Sequence, residues 1–210
     1  MVMAEEAGRS ARKRRAIMEA ATAVFLRHGY RGASMDEIAA RAAVSKQTVY
    51  KQFADKERLF TEIIGATIDQ VGEPFHAEVI TLGDADDLEG ELGVVARRLM
   101  AAVLAPDVLA LRRLVIAEAD RFPQLGRAYY ERGPGRTAEA LAVHFRRLAE
   151  RGTLRLDDPL TAAHQFTWLI TSVPLNQVML CGSDVRFSQA DLEGFADAGV
   201  RLFLAAYGRS

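Results

Sequence analysis

GYRGASMDEIAARAAVSKQTVYKQFADKERL, running from Gly29 to Leu59, decides how the rest of this 210-residue chain is read. Ser34, Ser45 and Asp55 each stand just before an amphipathic run, where a side-chain oxygen can accept from the unpaired N–H groups of a helix start. Glu37 follows Ser34 by three residues and completes a capping box, with Ala33 and Ile38 placed to form the accompanying hydrophobic staple. Val44 and Val49 repeat that staple around Ser45. The spacing predicts one helix from Met35 to Arg41 or Ala42, a second over 46–53 and a third opened by Asp55. Ala42-Ala43 stands where the intervening turn often carries glycine. Two short helices joined in this way form a helix-turn-helix. The second of them, with only Val49 and Phe53 facing inward, has too little apolar surface to stand alone. It has to be held by its neighbours and by Leu59 and Phe60.

Upstream, residues 1–9 read as a disordered leader. A helix is expected from about Arg9 to His28, with Gly29 as its terminating glycine and Ile17, Ala20, Ala21, Val24 and Phe25 as one buried stripe. Arg9, Arg12, Lys13, Arg14 and Arg15 crowd the first turns, where the helix dipole disfavours positive charge, so an external anion is a reasonable partner for them. A solvated basic face is the other reading.

Downstream, the helix opened by Asp55 is expected to reach about Val71, and Gly72, Pro74 and Gly83 mark 72–86 as a loop. Helical spacing resumes over about 87–104, 106–120, 123–132, 136–151, 159–181 and 188–206. Gly133-Pro134-Gly135 and Gly152 act as punctuation, and Pro174 is expected to kink or interrupt its helix. No strand pattern is convincing and no internal repeat occurs. The fold expected is all-α, with a helix-turn-helix domain at 1–55 and a helical regulatory and dimerisation domain at 56–210.

Charge is divided the same way. Residues 1–60 hold 12 Lys/Arg against 7 Asp/Glu, and the rest of the chain holds 15 against 21, within a net charge of −1. A basic head on an acidic body suits a polyanion at the head alone. The lone cysteine, Cys181, rules out an internal disulfide, fits a reducing cytoplasm and reads as a buried, inert thiol. No signal peptide and no apolar run of about 20 residues is present. Four histidines lack metal spacing, and neither a phosphate loop nor a nucleophile elbow occurs. Nothing points to an enzyme, a metal or a cofactor. A helical interaction protein that does not bind DNA is the remaining alternative to a DNA-binding one.

Through His28-Gly29-Tyr30, Ser34 to Ala39, Val44 to Phe53 and Asp55 to Leu59, the chain resembles the TetR family of transcriptional regulators. Arg112 to Pro123 and Tyr130 to Arg136 resemble the regulatory domain of its AefR-like subgroup. The resemblance implies that the 46–53 helix enters the major groove of double-stranded DNA. Lys46, Gln47, Thr48 and Lys51 would then meet bases or the adjacent backbone, while Tyr50, Lys56 and Ser34 would hold phosphates. Residue chemistry agrees, since Gln pairs well with adenine, Lys with guanine, and a tyrosine hydroxyl with a phosphate oxygen. Tyr50 as a half-buried core aromatic and Lys56 as a solvated first-turn residue remain open.

Because so small a unit reads few base pairs, specificity calls for a two-fold homodimer on a near-palindromic operator. The expected dimer surface takes Phe166 and Ile170 from the helix at 159–181, together with Leu192, Phe195, Gly199, Leu202, Phe203 and Ala206. The family also implies a pocket for a small apolar or amphipathic effector between the middle helices. Phe60, Ile64, Met100, Leu104, Phe145 and Trp168 are candidates to line it, with His144, Gln165 or Asn176 supplying polarity. Each of these can equally be plain core. The function expected is a cytoplasmic, ligand-responsive regulator, a repressor by the family's usual mode, with no membrane partner.

Overall fold

The computed structural model describes residues 2–81, 87–182 and 184–209. Its elements in chain order are α1 (Val2–Gly32), α2 (Met35–Arg41), α3 (Lys46–Phe53), α4 (Lys56–Thr81), α5 (Leu88–Val103) and α6 (Pro106–Glu118). They continue as α7 (Pro123–Tyr130), a π turn (Glu131–Gly135), α8 (Arg136–Glu150), α9 (Pro159–Leu180) and α10 (Gln189–Tyr207). Among the described residues the only extended pairing is one bridge, Leu154 to Gly208. The fold is all-α, as expected.

Four boundaries differ from the sequence reading. α1 is helical from Val2, so the expected leader is not a coil after that residue; Met3, Ala4, Glu5, Glu6 and Ala7 are good helix formers. α4 runs through Gly72 and Pro74 to Thr81, where a loop was expected. Phe75 and Val79 are buried at a spacing of four and continue the stripe of Ile64 and Ile68, so packing outweighs the proline. Residues 82–86 of that expected loop lie outside the described residues. Gly133-Pro134-Gly135 does not end a helix but forms the π turn, in which the Arg136 N–H donates to the Glu131 carbonyl five residues back. Pro134 lacks an N–H, and the wider turn absorbs that missing donor. Pro174 does not interrupt α9, which is one continuous helix.

The chain divides into two compact units, Met1–Thr67 with Ala110–Tyr129, and Ile68–Leu109 with Tyr130–Ser210. The first is therefore larger than the 1–55 domain expected. Its core explains why: Leu59, Phe60, Ile63 and Ile64 of α4 are buried with Ile17, Phe25, Ile38, Val49 and Phe53 of α1 to α3, and Leu111, Val115 and Leu125 are buried too. Four aromatic rings knit these elements together. Phe25 and Phe60 meet edge to face at 4.8 Å, Tyr30 lies 5.2 Å from Phe60, and Tyr30 meets Phe122 at 4.8 Å. Such pairs add about 0.5–1.5 kcal/mol each beyond their burial.

The second unit packs α5, α8, α9 and α10 around Leu92, Leu99, Met100, Leu141, Phe145, Phe166, Ile170 and Phe203. Phe145, Phe166 and Phe203 form a triangle with centroids 5.0–5.4 Å apart. Gly199 allows α10 to approach α9: a Cβ there would lie 2.9 Å from Ile170 Cγ1 and 3.2 Å from the Leu169 carbonyl. Arg97 of α5 pairs with Asp197 of α10 at 2.8 Å, and Arg136 of α8 with Glu73 of α4 at 2.7 Å. Cys181 is exposed at the end of α9, not buried as expected. No described helix is long and apolar enough to cross a membrane.

Candidate nucleic-acid interface

Ser34 caps α2 by accepting from the Glu37 N–H at 3.1 Å. The reciprocal half of the expected capping box does not form, because the Glu37 carboxylate turns to His28 Nε2 at 3.1 Å. Ser45 caps α3 in the same way, accepting from the Thr48 N–H at 3.1 Å and sharing a second bond with the Thr48 hydroxyl at 2.8 Å. Thr48 is thus engaged at the cap and half-buried rather than turned outward. The turn between the helices carries Ala43 at φ 53°, in the left-handed region that glycine usually fills.

Val49 and Phe53 are fully buried and fix the rotation of α3. Lys46, Gln47, Tyr50 and Lys51 are all exposed, with Tyr50 43% accessible. Among the described residues the side chains of Gln47, Tyr50 and Lys51 make no hydrogen bond or ion pair. They are positioned by the helix alone and are available to a partner. Tyr50 is accordingly not a core aromatic.

Lys46 differs from these three. Its ammonium lies 2.7 and 3.0 Å from the two carboxylate oxygens of Asp36 on α2, and that contact holds it above the ordinary lysine range. An external anion would meet a Lys46 charge already paired with Asp36. Lys56 is also committed inside the unit: its ammonium donates to the carbonyls of Ala33 at 3.0 Å and Arg31 at 3.3 Å, and sits 4.9 Å above the Tyr30 ring. Partial burial pushes it below the usual lysine range, with Glu118 acting the other way. It therefore ties the end of α1 to the start of α4, a positional duty that the solvated-residue reading leaves out. Tyr30 beneath it is pushed up to about 12 by burial and by Glu57, Asp55 and Glu118.

Arg14 is the residue that sequence reasoning misplaced. Counted there as one of five surface cations, it stacks 4.4 Å over the Phe53 ring, donates to the Gln52 carbonyl at 3.4 Å and pairs with Glu62. Arg58 reaches the same Glu62 at 3.2 Å. Ser10 accepts from the Gln52 amide at 3.1 Å. Arg14 stands three residues before Ile17 on the buried stripe, and that spacing was the signal for an inward side chain. Asp36, in the first turn of α2, carried no signal until folding brought it to Lys46.

The residues expected to line an effector pocket fall in different surroundings. Phe60 and Ile64 belong to the core of the first unit. Met100 and Phe145 are packed in the core of the second, and Leu104 lies at its edge. Gln165, Trp168 and Asn176 face solvent on α9, Trp168 with 54% of its surface accessible. The expected dimer residues are corrected too. Phe166, Ile170, Gly199 and Phe203 are buried within their own chain, and Leu192 and Phe195 are half-buried against that core. Only Leu202 and Ala206 are exposed. On α9 Ala162, Phe166 and Ile170 are buried, whereas Trp168, Leu169, Val173 and Leu180 are exposed. α9 is apolar nearly all round, as expected.

Two family models match the chain: "Bacterial regulatory proteins, tetR family" over residues 17–63, and "AefR-like transcriptional repressor, C-terminal domain" over 90–209. A solved structure of a putative TetR-family transcriptional regulator from Mesorhizobium loti is 48% identical, with a TM-score of 0.87, covering 96% of this chain and 99% of that one. The flavonoid-responsive regulator FrrA is 31% identical, with a TM-score of 0.82, over 94% of this chain and 98% of that one. The DNA-binding transcriptional repressor TetR of Mycobacteroides abscessus is 34% identical over 45% of this chain, a match that spans 49% of that repressor's length. With both models in register with the capped helix pair and the helical bundle that follows it, the chain belongs to the TetR family of bacterial regulators, proteins that bind DNA and control transcription rather than catalyse a reaction.

Proposed function

We propose that this protein is an effector-responsive repressor, acting in the cytoplasm, that binds a near-palindromic operator as a homodimer. The observation that carries the DNA-reading part is the outward face of α3, where Gln47, Tyr50 and Lys51 are held in register by buried Val49 and Phe53 and, among the described residues, make no side-chain hydrogen bond or ion pair. In the major groove Gln47 reads a base edge, Lys51 a guanine or the adjacent backbone, and the Tyr50 hydroxyl a phosphate. Ser34 and Thr48 contribute from the cap positions and Lys46 after leaving Asp36. Lys56 acts on phosphate through its remaining N–H and through the placement of α4.

Dimerisation is supported by the exposed apolar stripe of Trp168, Leu169, Val173 and Leu180 on α9, joined by Leu202 of α10. Leu180 is 80% and Leu202 57% accessible, an exposure that a second copy would relieve. A two-fold pair would set the α3 helices about 34–36 Å apart on one side of the duplex. The effector acts by favouring one helix arrangement over another. Similarity to a flavonoid-responsive regulator makes flat aromatic effectors the first class to try.

Footprinting on genomic fragments containing the chain's own upstream region tests the reading. Protection of a near-palindrome is expected, and the double variant Gln47→Ala/Lys51→Ala should lose it. Affinity that stays level as salt rises would sink the electrostatic part. Sedimentation of Trp168→Glu/Leu202→Glu should show a monomer; a dimer would remove the α9 assignment. Effector affinity equal with and without operator would remove the coupling.

A further inference from the structure

We propose that the π turn at Glu131–Gly135 is a register switch, clamped to α4 by Arg136, through which operator binding and the state of the second unit are coupled. The inference rests on the reading of this chain as an effector-responsive DNA binder. α7, the π turn and α8 form one unbroken helical run from Pro123 to Glu150, with the turn as a bulge inside it. At its end the Arg136 N–H is shared between the Glu131 carbonyl five residues back and the Gly133 carbonyl three residues back, passing over the α-helical position between them. An amide divided in this way stands between two registers. The bond to Glu131 keeps the bulge wide; the bond to Gly133 alone would tighten it and turn Arg136 about the axis of α8. Pro134 weakens a regular α-helical ladder here, having no N–H and a ring that crowds the carbonyl four residues back. Gly135 shows how tightly the bulge is drawn, since a Cβ there would lie 3.1 Å from the Tyr130 carbonyl oxygen. Such π bulges are rare and recur at functional sites.

The clamp reaches one short stretch of α4. Arg136 Nη1 lies 2.7 Å from the Glu73 carboxylate and 3.5 Å from that of Asp69, one helical turn earlier. Gly133 lies against Ile68, the residue before Asp69, and an added Cβ would stand 3.5 Å from its Cδ1. This stretch leads into Gly72 and Pro74, where α4 lacks a side chain and a donor. Two helical interruptions, one on α4 and one in the π turn, therefore stand next to the two ends of one ion pair. The three charged side chains are 44%, 45% and 56% exposed, so the pairs are individually weak. A weak clamp across two yielding points opens and closes at small cost, and hinges are built from a few such positions.

α4 continues unbroken from this stretch back to Lys56, and its Leu59 and Phe60 are buried in the first unit. A change of register at the turn is thereby handed to a helix that the DNA-reading unit shares. Coupling is reciprocal, so a ligand that biases the register from one end changes affinity at the other by the same factor.

The test follows full-length protein by hydrogen–deuterium exchange, alone and saturated with a duplex carrying the footprinted site. Reciprocity requires that DNA held by the first unit change protection at the clamp. Exchange over 131–136 and 69–75 should differ by about fivefold or more between the two conditions, the lower end of ordinary coupling. Arg136→Ala should abolish that difference at 69–75 while circular dichroism and base preference stay as in wild type. Arg136→Lys, which keeps a charge for Glu73, should restore part of it. A purely structural arginine would change exchange equally with and without duplex, so the duplex-dependent difference isolates the switch. Gly135→Ala, pressing its methyl on the Tyr130 carbonyl, should alter exchange over 131–136 in the unbound protein and shrink the difference. Exchange over 131–136 that ignores the duplex overturns the proposal, as does a full duplex-dependent difference in Arg136→Ala. In either case, with wild type still protecting its site, only this inference falls. If wild type binds no duplex, the reading of α3 falls and this inference with it.

Discussion

Asp36→Asn should strengthen DNA binding. In the unbound protein both carboxylate oxygens of Asp36 hold the Lys46 ammonium, at 2.7 and 3.0 Å. While that carboxylate stays paired with it, Lys46 brings little net charge to a phosphate, although its ammonium keeps a further N–H. A neutral amide in place of the carboxylate would release the lysine at full charge. One added phosphate neutralisation steepens the salt slope by about 0.9, which corresponds to about a fivefold gain in affinity at about 0.15 M salt relative to about 1 M. Both groups are more than half exposed, so the pair itself is weak and the fold should survive its loss. Asp36 also sits in the first turn of α2, where a negative charge favours the helix, so a small drop in thermal stability accompanies the substitution. Fluorescence anisotropy on the footprinted duplex at several salt concentrations measures the effect. The decisive control is the double-mutant cycle: in a Lys46→Ala background the gain should vanish. A gain of the same size in that background would show simple relief of repulsion between Asp36 and phosphate, and no gain in either background would refute the latch.

Three other outcomes follow from the packing. Gly199→Ala should cost about 1–3 kcal/mol, because its new methyl would meet the Leu169 backbone and Ile170, which cannot both retreat; thermal melting unchanged within a degree would refute the close approach. Tyr30 keeps its proton to about pH 12, so stability from this group is present below the ordinary tyrosine range and is lost as pH rises through 12. Ultraviolet titration should show one of the five tyrosines ionising late, a step that Tyr30→Phe removes, and five equal steps would contradict the buried site. Ala43→Gly should stabilise the first unit by about 0.5–1 kcal/mol, since it relieves a left-handed alanine worth about 1–2 kcal/mol against about 0.4–1 kcal/mol of extra unfolded-state entropy. Denaturant unfolding at unchanged m-value checks it, and a loss of stability would mean that the turn tolerates alanine without strain.

The short capped helices were legible because their signals are local. Ser34, Ser45 and Asp55 announce helix starts by one side chain reaching one N–H group, and each does so in the structure. What escaped the sequence depends on partners distant in the chain. Glu37 left its capping box for His28, Arg14 found Glu62 forty-eight residues away, and Lys56 turned to the carbonyls at the end of α1. The proline signals misled for a related reason: Pro74 and Pro174 report a missing donor, while continuation of α4 and α9 is decided by the apolar stripes either side of them. On α9 composition was read correctly and rotation was not. An all-apolar helix carries no periodic contrast from which to tell an inner face from an outer one.

The division of labour within α3 has an evolutionary consequence. On the reading of α3 as the DNA-reading helix, scaffold and address are carried by different residues of the same eight-residue helix. Val49, Phe53 and the Ser45 cap are anchored by burial and hydrogen bonding, whereas Gln47, Tyr50 and Lys51 are exposed. Exposed substitutions of that kind usually change stability by no more than about 0.5 kcal/mol. A descendant of this chain can therefore acquire a new operator by drift at two or three positions without first passing through an unstable intermediate.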